Sequence, residues 1–338
     1  MAKFSPLQFV REQLRRPVPL VIEDLTGKVV LVTGANVGLG FEAAKHFASM
    51  NPERLIIACR SEAKGKQAVE EIKESTKFDN VELLILDLAS YASVSAFCEN
   101  VEKEVPRLDI LVENAALAQD KFIPTPDGWE HQLQVNHLAT AQLAILLLPL
   151  LLRSASMGAT PRLVFVSTAS HHASPPLKPP TQDQGILEWL NDRSTPMVSR
   201  YAVSKLLNLF FAREFASRLP EDSPLVISAV NPGLCVSALR RNTPLSRYIV
   251  LWLMETLIGW STERGSRQLI FAALGNSDKP GEMKGAYISS SEIVEPSDYV
   301  ISEEGAEVQK QLWHETLTVL SKVSPNIQPI LSYTNLLR

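Results

Sequence analysis

From residue 28 onward, short and nearly unbroken apolar runs alternate with longer stretches in which apolar positions recur every three or four residues. The first pattern suits strands buried on both faces, and the second suits the helices that cover them. Strands are predicted over 29–33, 55–58, 81–86, 109–112, 163–167, 225–230 and, more weakly, 286–289. Helices are predicted over 41–50, 62–74, 90–105, 129–153, 199–219 and 263–274. Such alternation argues for parallel strands joined by crossover helices: an α/β, Rossmann-type doubly wound sheet in three layers. Two stretches break the rhythm, a Pro-rich one over 171–195 and one over 242–260 that holds an apolar segment. Each is too short for a core of its own, so a single domain is expected over 26–338. Residues 1–25, punctuated by Pro6, Pro17 and Pro19, read as a surface arm.

Composition narrows the possible functions. The 338 residues are 45% hydrophobic and 21% charged, which is ordinary for a globular chain. A formal charge of −4 leaves no basic surplus for a phosphate backbone, so the expected partner is a small molecule and not a nucleic acid. Cys59, Cys98 and Cys235 are too scattered for a disulfide framework or a metal site. Reduced thiols in a cytoplasmic setting fit them best. Lys3, Arg11, Arg15 and Arg16 lie among apolar residues near the N-terminus, but no apolar stretch is long enough for a signal peptide or a membrane span.

The run from Val29 to Gly40 is a buried strand entering a glycine turn and then a helix. A pyrophosphate can sit at that helix's N-terminus, where free N–H groups and the helix dipole favour negative charge. Gly34, Asn36, Gly38, Leu39 and Gly40 are therefore candidate cofactor residues. The second strand leads into Arg60, where an NAD site would usually carry an acid for the ribose 2′-hydroxyl. Arg60, Lys64 and Asn36 would instead bind a 2′-phosphate, which favours NADP(H).

Tyr201 and Lys205 lie four apart at the start of an amphipathic helix, on one helical face. A free tyrosine is too weak an acid to act as a base at neutral pH, but a neighbouring ammonium stabilises its phenolate. The pair is a candidate acid/base couple.

Over about residues 25–290 the chain resembles the short-chain dehydrogenase/reductase superfamily. The residues carrying the likeness are Thr33 to Gly40, Asp87-Leu88, Asn114-Ala115, Val135-Asn136, Val166 to Thr168, Tyr201 to Lys205 and Asn231 to Gly233. Residues 57–60 and the His171-His172 pair are most similar to its retinol dehydrogenase and WW-domain oxidoreductase branch, without a WW domain. The resemblance implies that Asp87 and Leu88 hold the adenine and that Asn114 and Ala115 line the ribose region. Tyr201 would be the acid/base, and Lys205 would also bind the nicotinamide ribose. Asn136 would help hold a proton-relay water, and Pro232, Gly233 and Ser237 would place the carboxamide. It also implies a substrate lid at about 238–262 and a homodimer helix over 141–152.

Two departures from the family pattern stand out. Glu113 and Ala116 replace an asparagine and a glycine, bringing in a carboxylate close to the cofactor unless it faces away. Thr168 holds the place of the substrate-orienting serine, with Ser167 and Ser170 as alternatives. His171 and His172 read as loop residues without triad or metal partners. The apolar segment 248–260 fits a core helix, a lid over an apolar pocket or a peripheral membrane contact. The function implied is NADP(H)-dependent interconversion of a lipophilic alcohol and its ketone or aldehyde, using Tyr201, Lys205, Asn136 and Thr168. The alternative is a cofactor-binding regulatory or scaffolding protein with little or no turnover.

Overall fold

The computed structural model describes residues 6–181, 183–236, 239, 245–334 and 336. A short helix, α1 (Pro6–Gln13), precedes β1 (Val29–Thr33), α2 (Gly38–Ala48), β2 (Arg54–Cys59), α3 (Glu62–Thr76), β3 (Val81–Ile85), α4 (Tyr91–Glu104) and β4 (Ile110–Glu113). A long helical stretch then begins as α5 (His131–Leu133), passes through a π-helical turn (Gln134–Leu138) and continues as α6 (Ala139–Leu146) and α7 (Leu148–Ser156). After β5 (Arg162–Val166) come α8 (Ile186–Leu190), α9 (Arg200–Arg218), β6 (Val226–Asn231), α10 (Leu245–Ile258) and α11 (Thr262–Leu274). The chain closes with β7 (Tyr287–Ser289), β8 (Glu292–Val294), α12 (Asp298–Ile301), α13 (Glu303–Val323) and α14 (Ile327–Tyr333).

The strands form one sheet in the order β3-β2-β1-β4-β5-β6-β7-β8. All pairs are parallel except β7·β8, so the expected Rossmann-type sheet is present with an antiparallel edge added. Strands β1, β4, β5 and β6 are buried along their whole length, which is why they read as unbroken apolar runs. β8 is mostly exposed and has no such run, so the pattern misses it.

Helices cover both faces. One core joins α4, α6, α7, α9 and α13 to the sheet, and the other joins α2, α3 and α11 to it. Trp313 of α13 stacks on Phe211 of α9 at 5.1 Å and seals the first core from outside. The stretch 131–156 is apolar enough to cross a membrane but is mostly buried inside the fold. It is also not the single helix predicted. The π-helical turn interrupts it, and Pro149 lacks the N–H that would bond the preceding turn.

The arm is tied to the far end of the chain. Gln13 donates from Nε2 to the carbonyls of Leu234 and Ile258 at 3.0 and 3.1 Å and accepts from Leu234 N at 3.1 Å. The Trp260 indole N–H donates to the Gln13 carbonyl at 2.7 Å. Farther along, Arg267 donates to the Val18 carbonyl. Gln13→Ala removes three bonds of about 0.5–1.5 kcal/mol each. Trypsin should then cut after Arg15 roughly ten times faster or more, with little change in the global unfolding temperature. A digestion rate equal to that of the native chain would show that the clasp does not hold the arm.

Candidate active site

The sheet order reverses between β1 and β4, and the carboxyl ends of these two strands are stitched by side chains. The Thr33 hydroxyl accepts from the backbone N–H groups of Asn114 and Ala115 at 2.9 and 3.0 Å. Asn114 returns its Nδ2 to the Thr33 carbonyl at 2.9 Å. A Cβ on Gly40 would lie 2.4 Å from that same Nδ2, and one on Gly34 would lie 2.8 Å from the Ala115 backbone. Both glycines are therefore imposed by the close approach of the turn to Asn114-Ala115. Gly38 differs: its φ is +69°, and a Cβ there would meet nothing closer than 4.0 Å. At its position the start of α2 is open, and the N-cap residue Val37 contributes no side-chain bond. The first amides of that helix suit an anion. Asn36 and Leu39 are half-buried beside it.

At the neighbouring strand ends, Arg60 follows β2 and Lys64 lies in the first turn of α3, both exposed. Asp87 accepts from Ala89 N at 3.0 Å and is half-buried. Leu88 is buried among core residues, so its side chain is not available to an adenine and only its backbone remains for that role. A group that the motifs did not indicate joins this end. Burial lowers the His131 pKa, and of the charges that act on it Glu130 and Asp87 push it up while Arg60 pushes it down. Arg60, Asp87 and His131 thus converge on one place.

The ends of β5 and β6 carry the other candidates. Tyr201 and Lys205 occupy the first turns of α9. Lys205 is only 1% exposed, and its Nζ donates to the Val166 carbonyl at 2.7 Å. Burial pulls its pKa down to about 8, against the pull of Glu113. Ser167 is buried and donates its hydroxyl to the Lys205 carbonyl at 3.0 Å, so it braces α9 and does not face the site mouth. Thr168 is half-buried; its Oγ1 caps the following turn by accepting from Ser170 N at 3.3 Å, which leaves its own proton to donate. Asn136 sits within the π-helical turn and is fully engaged. Its Oδ1 accepts from Leu117 N, and its Nδ2 donates to the Leu117 carbonyl and the Ser204 hydroxyl, all at 2.9 Å. Pro232 is buried and Gly233 has φ +82°, with Gln13 Oε1 and the Trp260 ring each 2.9 Å from where a Cβ would stand. Ser237 lies outside the described residues.

Two residues outside the expected set hold these loops. Asn231 Oδ1 accepts from Ala169 N at 3.0 Å and from Gly233 N at 3.2 Å, while its Nδ2 donates to Ser289. His171 is not a free loop residue. It is buried, its Nδ1 bonds the Thr168 carbonyl at 2.7 Å and its Nε2 accepts from Ser297 N at 3.0 Å. A backbone acceptor on one nitrogen and a backbone donor on the other fix the neutral tautomer. Burial, with the His172 ring tilted against it at 4.1 Å, drives its pKa down to about 3. Among the described residues no cluster of His, Cys, Asp or Glu could hold a metal. On α10, Trp252 is 50% and Leu257 76% exposed, so the described part of that helix does not bury its apolar side chains as a core helix would.

The profile of the short chain dehydrogenase family matches residues 28–177. The chain is 36% identical over 327 residues to the short chain dehydrogenase/reductase dmxR8 of Cryptosporiopsis sp. (strain 8999), covering 94% of this chain and 98% of that one. Among solved structures it is similar to an uncharacterised protein from Mycobacterium paratuberculosis, with TM-score 0.66, 27% identity, and 89% and 96% of the two chains covered. A 3-ketoacyl-(acyl-carrier-protein) reductase from Brucella melitensis, solved with NADH, shares the fold at TM-score 0.59 and 20% identity, covering 78% of this chain and 97% of that one.

His171 and His137 generate a pH prediction. Burial holds His137 at about 4 and His171 at about 3, both below the ordinary histidine value, so the unfolded chain binds more protons below about pH 6.5. Their contribution to stability is present above that pH and is lost as pH falls towards their folded values, at about 1.4 kcal/mol per pH unit for each. Urea unfolding at pH 7, 6 and 5 should show that His171→Gln lessens the slope by about one such increment. Parallel slopes for the two proteins would contradict the neutral clamp.

Proposed function

Because the chain belongs to the short-chain dehydrogenase/reductase family, we propose that it is an NADP(H)-dependent oxidoreductase interconverting a lipophilic alcohol and its ketone or aldehyde. Family membership makes it an oxidoreductase; the cofactor preference and substrate class are inferred from its own residues. The observation that carries the proposal is a buried ammonium, Lys205, at the end of β5, one helical turn beyond Tyr201. Scaffolding alone gives no reason to keep such a charge in the interior.

The site's residues fit a dinucleotide. The open turn at Gly38 and the uncapped start of α2 suit its pyrophosphate. Asn114 and Ala115 line the cleft below, and Gly233 and Pro232 flank the nicotinamide end. A bound nicotinamide supplies or takes the hydride. Tyr201 gives its proton to the carbonyl oxygen, or takes it from the alcohol. Lys205 favours the phenolate by its charge and contacts the ribose, while Thr168 donates its remaining proton to the substrate oxygen. Asn136 acts through its tethers to Leu117 and Ser204, keeping the loop after β4 against α9.

The fold does not choose between NADH and NADPH, since the Brucella reductase binds NADH. Arg60 and Lys64, exposed at the end of β2 with no acid between them except Glu62 turned to Lys66, favour the 2′-phosphate. The exposed apolar residues Trp252, Leu253 and Leu257 of α10 favour a lid that closes on a large apolar substrate.

Tyr201→Phe should lower turnover by roughly 10²–10⁴-fold with NADPH affinity nearly unchanged, followed by nicotinamide absorbance over ketones and aldehydes of increasing apolar bulk. Turnover near the native rate would remove Tyr201 from the chemistry. Absence of turnover in the native chain across that panel, with NADPH still bound, would favour a regulatory role. Arg60→Ala should weaken NADPH by roughly 10- to 100-fold through loss of a charge-assisted bond, and NADH little. Equal weakening of both cofactors would make Arg60 structural.

A further inference from the structure

Glu113 ends β4 only 2% exposed, yet neither of its carboxylate oxygens has a hydrogen-bond partner among the described residues. An ionised carboxylate in that condition is costly unless an opposite charge meets it. The strand shows where it faces. Leu111, two residues earlier and so on the same face, belongs to the core that contains Leu206 and Phe210 of α9, whereas Val112 belongs to the opposite core. Glu113 therefore points to the α9 side. Across the sheet it pairs with Phe165, and the next residue of β5, Val166, offers the carbonyl that binds Lys205 Nζ. Neighbouring strands lie about 4.8 Å apart, so the carboxyl and the ammonium share one side of the sheet one strand apart, within electrostatic reach but not in a direct ion pair.

Lys205 has the matching need. It is an interior cation whose described acceptor is one neutral carbonyl. The titratable groups that face Glu113 are Lys205 from α9 and Cys98 from α4. Cys98 is buried and its thiol is held well above its ordinary range, so it stays neutral and offers no counter-charge.

We propose that Glu113 is the counter-charge of Lys205, a positioning residue behind the catalytic pair that keeps the lysine an ammonium ion in the interior. It acts through Lys205 and does not touch substrate or cofactor. Its consequence for Tyr201 rests on the function proposed above; the pairing itself does not. Burial pushes the Glu113 pKa well up and the Lys205 pKa down, and each group opposes the shift of the other.

Thermal unfolding without ligand, from pH 5 to 9, tests the pairing in a cycle of Glu113→Gln, Lys205→Met and both together. Glutamine keeps the shape and removes the charge. In the native background Glu113→Gln should lower the unfolding temperature at pH 7–8 by leaving Lys205 unmatched. In the Lys205→Met background it should raise that temperature, because it removes an acid with no counter-charge. That gain should grow with pH: an unmatched buried carboxyl has a raised folded pKa, so its stability is full at low pH and is lost as pH climbs. Additive effects at every pH would overturn the pairing. A second readout is NADPH affinity by nicotinamide fluorescence. On the alkaline side, affinity should fall as Lys205 loses its proton, with a midpoint at least about one pH unit lower in Glu113→Gln. Glu113→Asp, which keeps the charge, should restore most of that shift; coincident midpoints in all three proteins would overturn the tuning. If the native chain binds no NADPH, the proposed function fails while the unfolding cycle still decides the pairing.

Discussion

The Thr33 hydroxyl takes two backbone N–H groups from the end of β4, and the site depends on that grip. It draws the turn after β1 against Asn114 so closely that no side chain fits at Gly34 or Gly40. The start of α2 is thereby fixed in direction, with its unpaired amides presented at the point where the strand order reverses. A threonine serves where valine would match its shape, because only the hydroxyl can accept from both amides. Asn114 closes the stitch from the other side and leaves the cleft between β1 and β4 with one width.

A second network sets the opposite wall. Asn231 gathers the backbone N–H groups of Ala169 and Gly233 and the Ser289 hydroxyl, and His171 ties Thr168 to Ser297 in the last third of the chain. The residues proposed to orient substrate are therefore held by neutral, fully bonded groups, and the charged ones, Lys205 and Glu113, lie behind them in the interior. That arrangement separates the rigid frame from the electrostatics.

Most of the sheet was legible in the sequence because its central strands are buried on both faces and read as unbroken apolar runs, β1 to the residue. The glycine turn and the Tyr201–Lys205 pair were legible for a different reason, since close approach and shared helical face restrict residue type. What escaped has physical causes. β8 is an exposed antiparallel edge with no apolar run. The π-helical turn leaves no trace in periodicity, because Asn136 is a buried polar residue whose partners, Leu117 and Ser204, come from distant segments. His171 looked like a loop residue for the same reason: its partner Ser297 is 126 positions away. The stripe Val308, Leu312, Trp313, Leu317 and Leu320 of α13 has plain helical spacing and could have been found, but it carries no motif. Leu88 is a motif position whose side chain packs in the core, so any contact with the adenine falls to its backbone.

The bond from Trp260 to the Gln13 carbonyl spans 247 positions and closes a loop around nearly three-quarters of the polypeptide. During synthesis at about 5–20 residues per second, the arm is made roughly 12–50 s before its partner leaves the ribosome. Through that interval Gln13 lacks the Leu234, Ile258 and Trp260 partners that hold the arm, and its exposed neighbours Leu7, Val10 and Leu14 are not anchored by it. The clasp can close only after Trp260 has emerged, so the arm stays unanchored at this contact until then. Ser289 and Ser297, which brace the second wall of the site, are made later still.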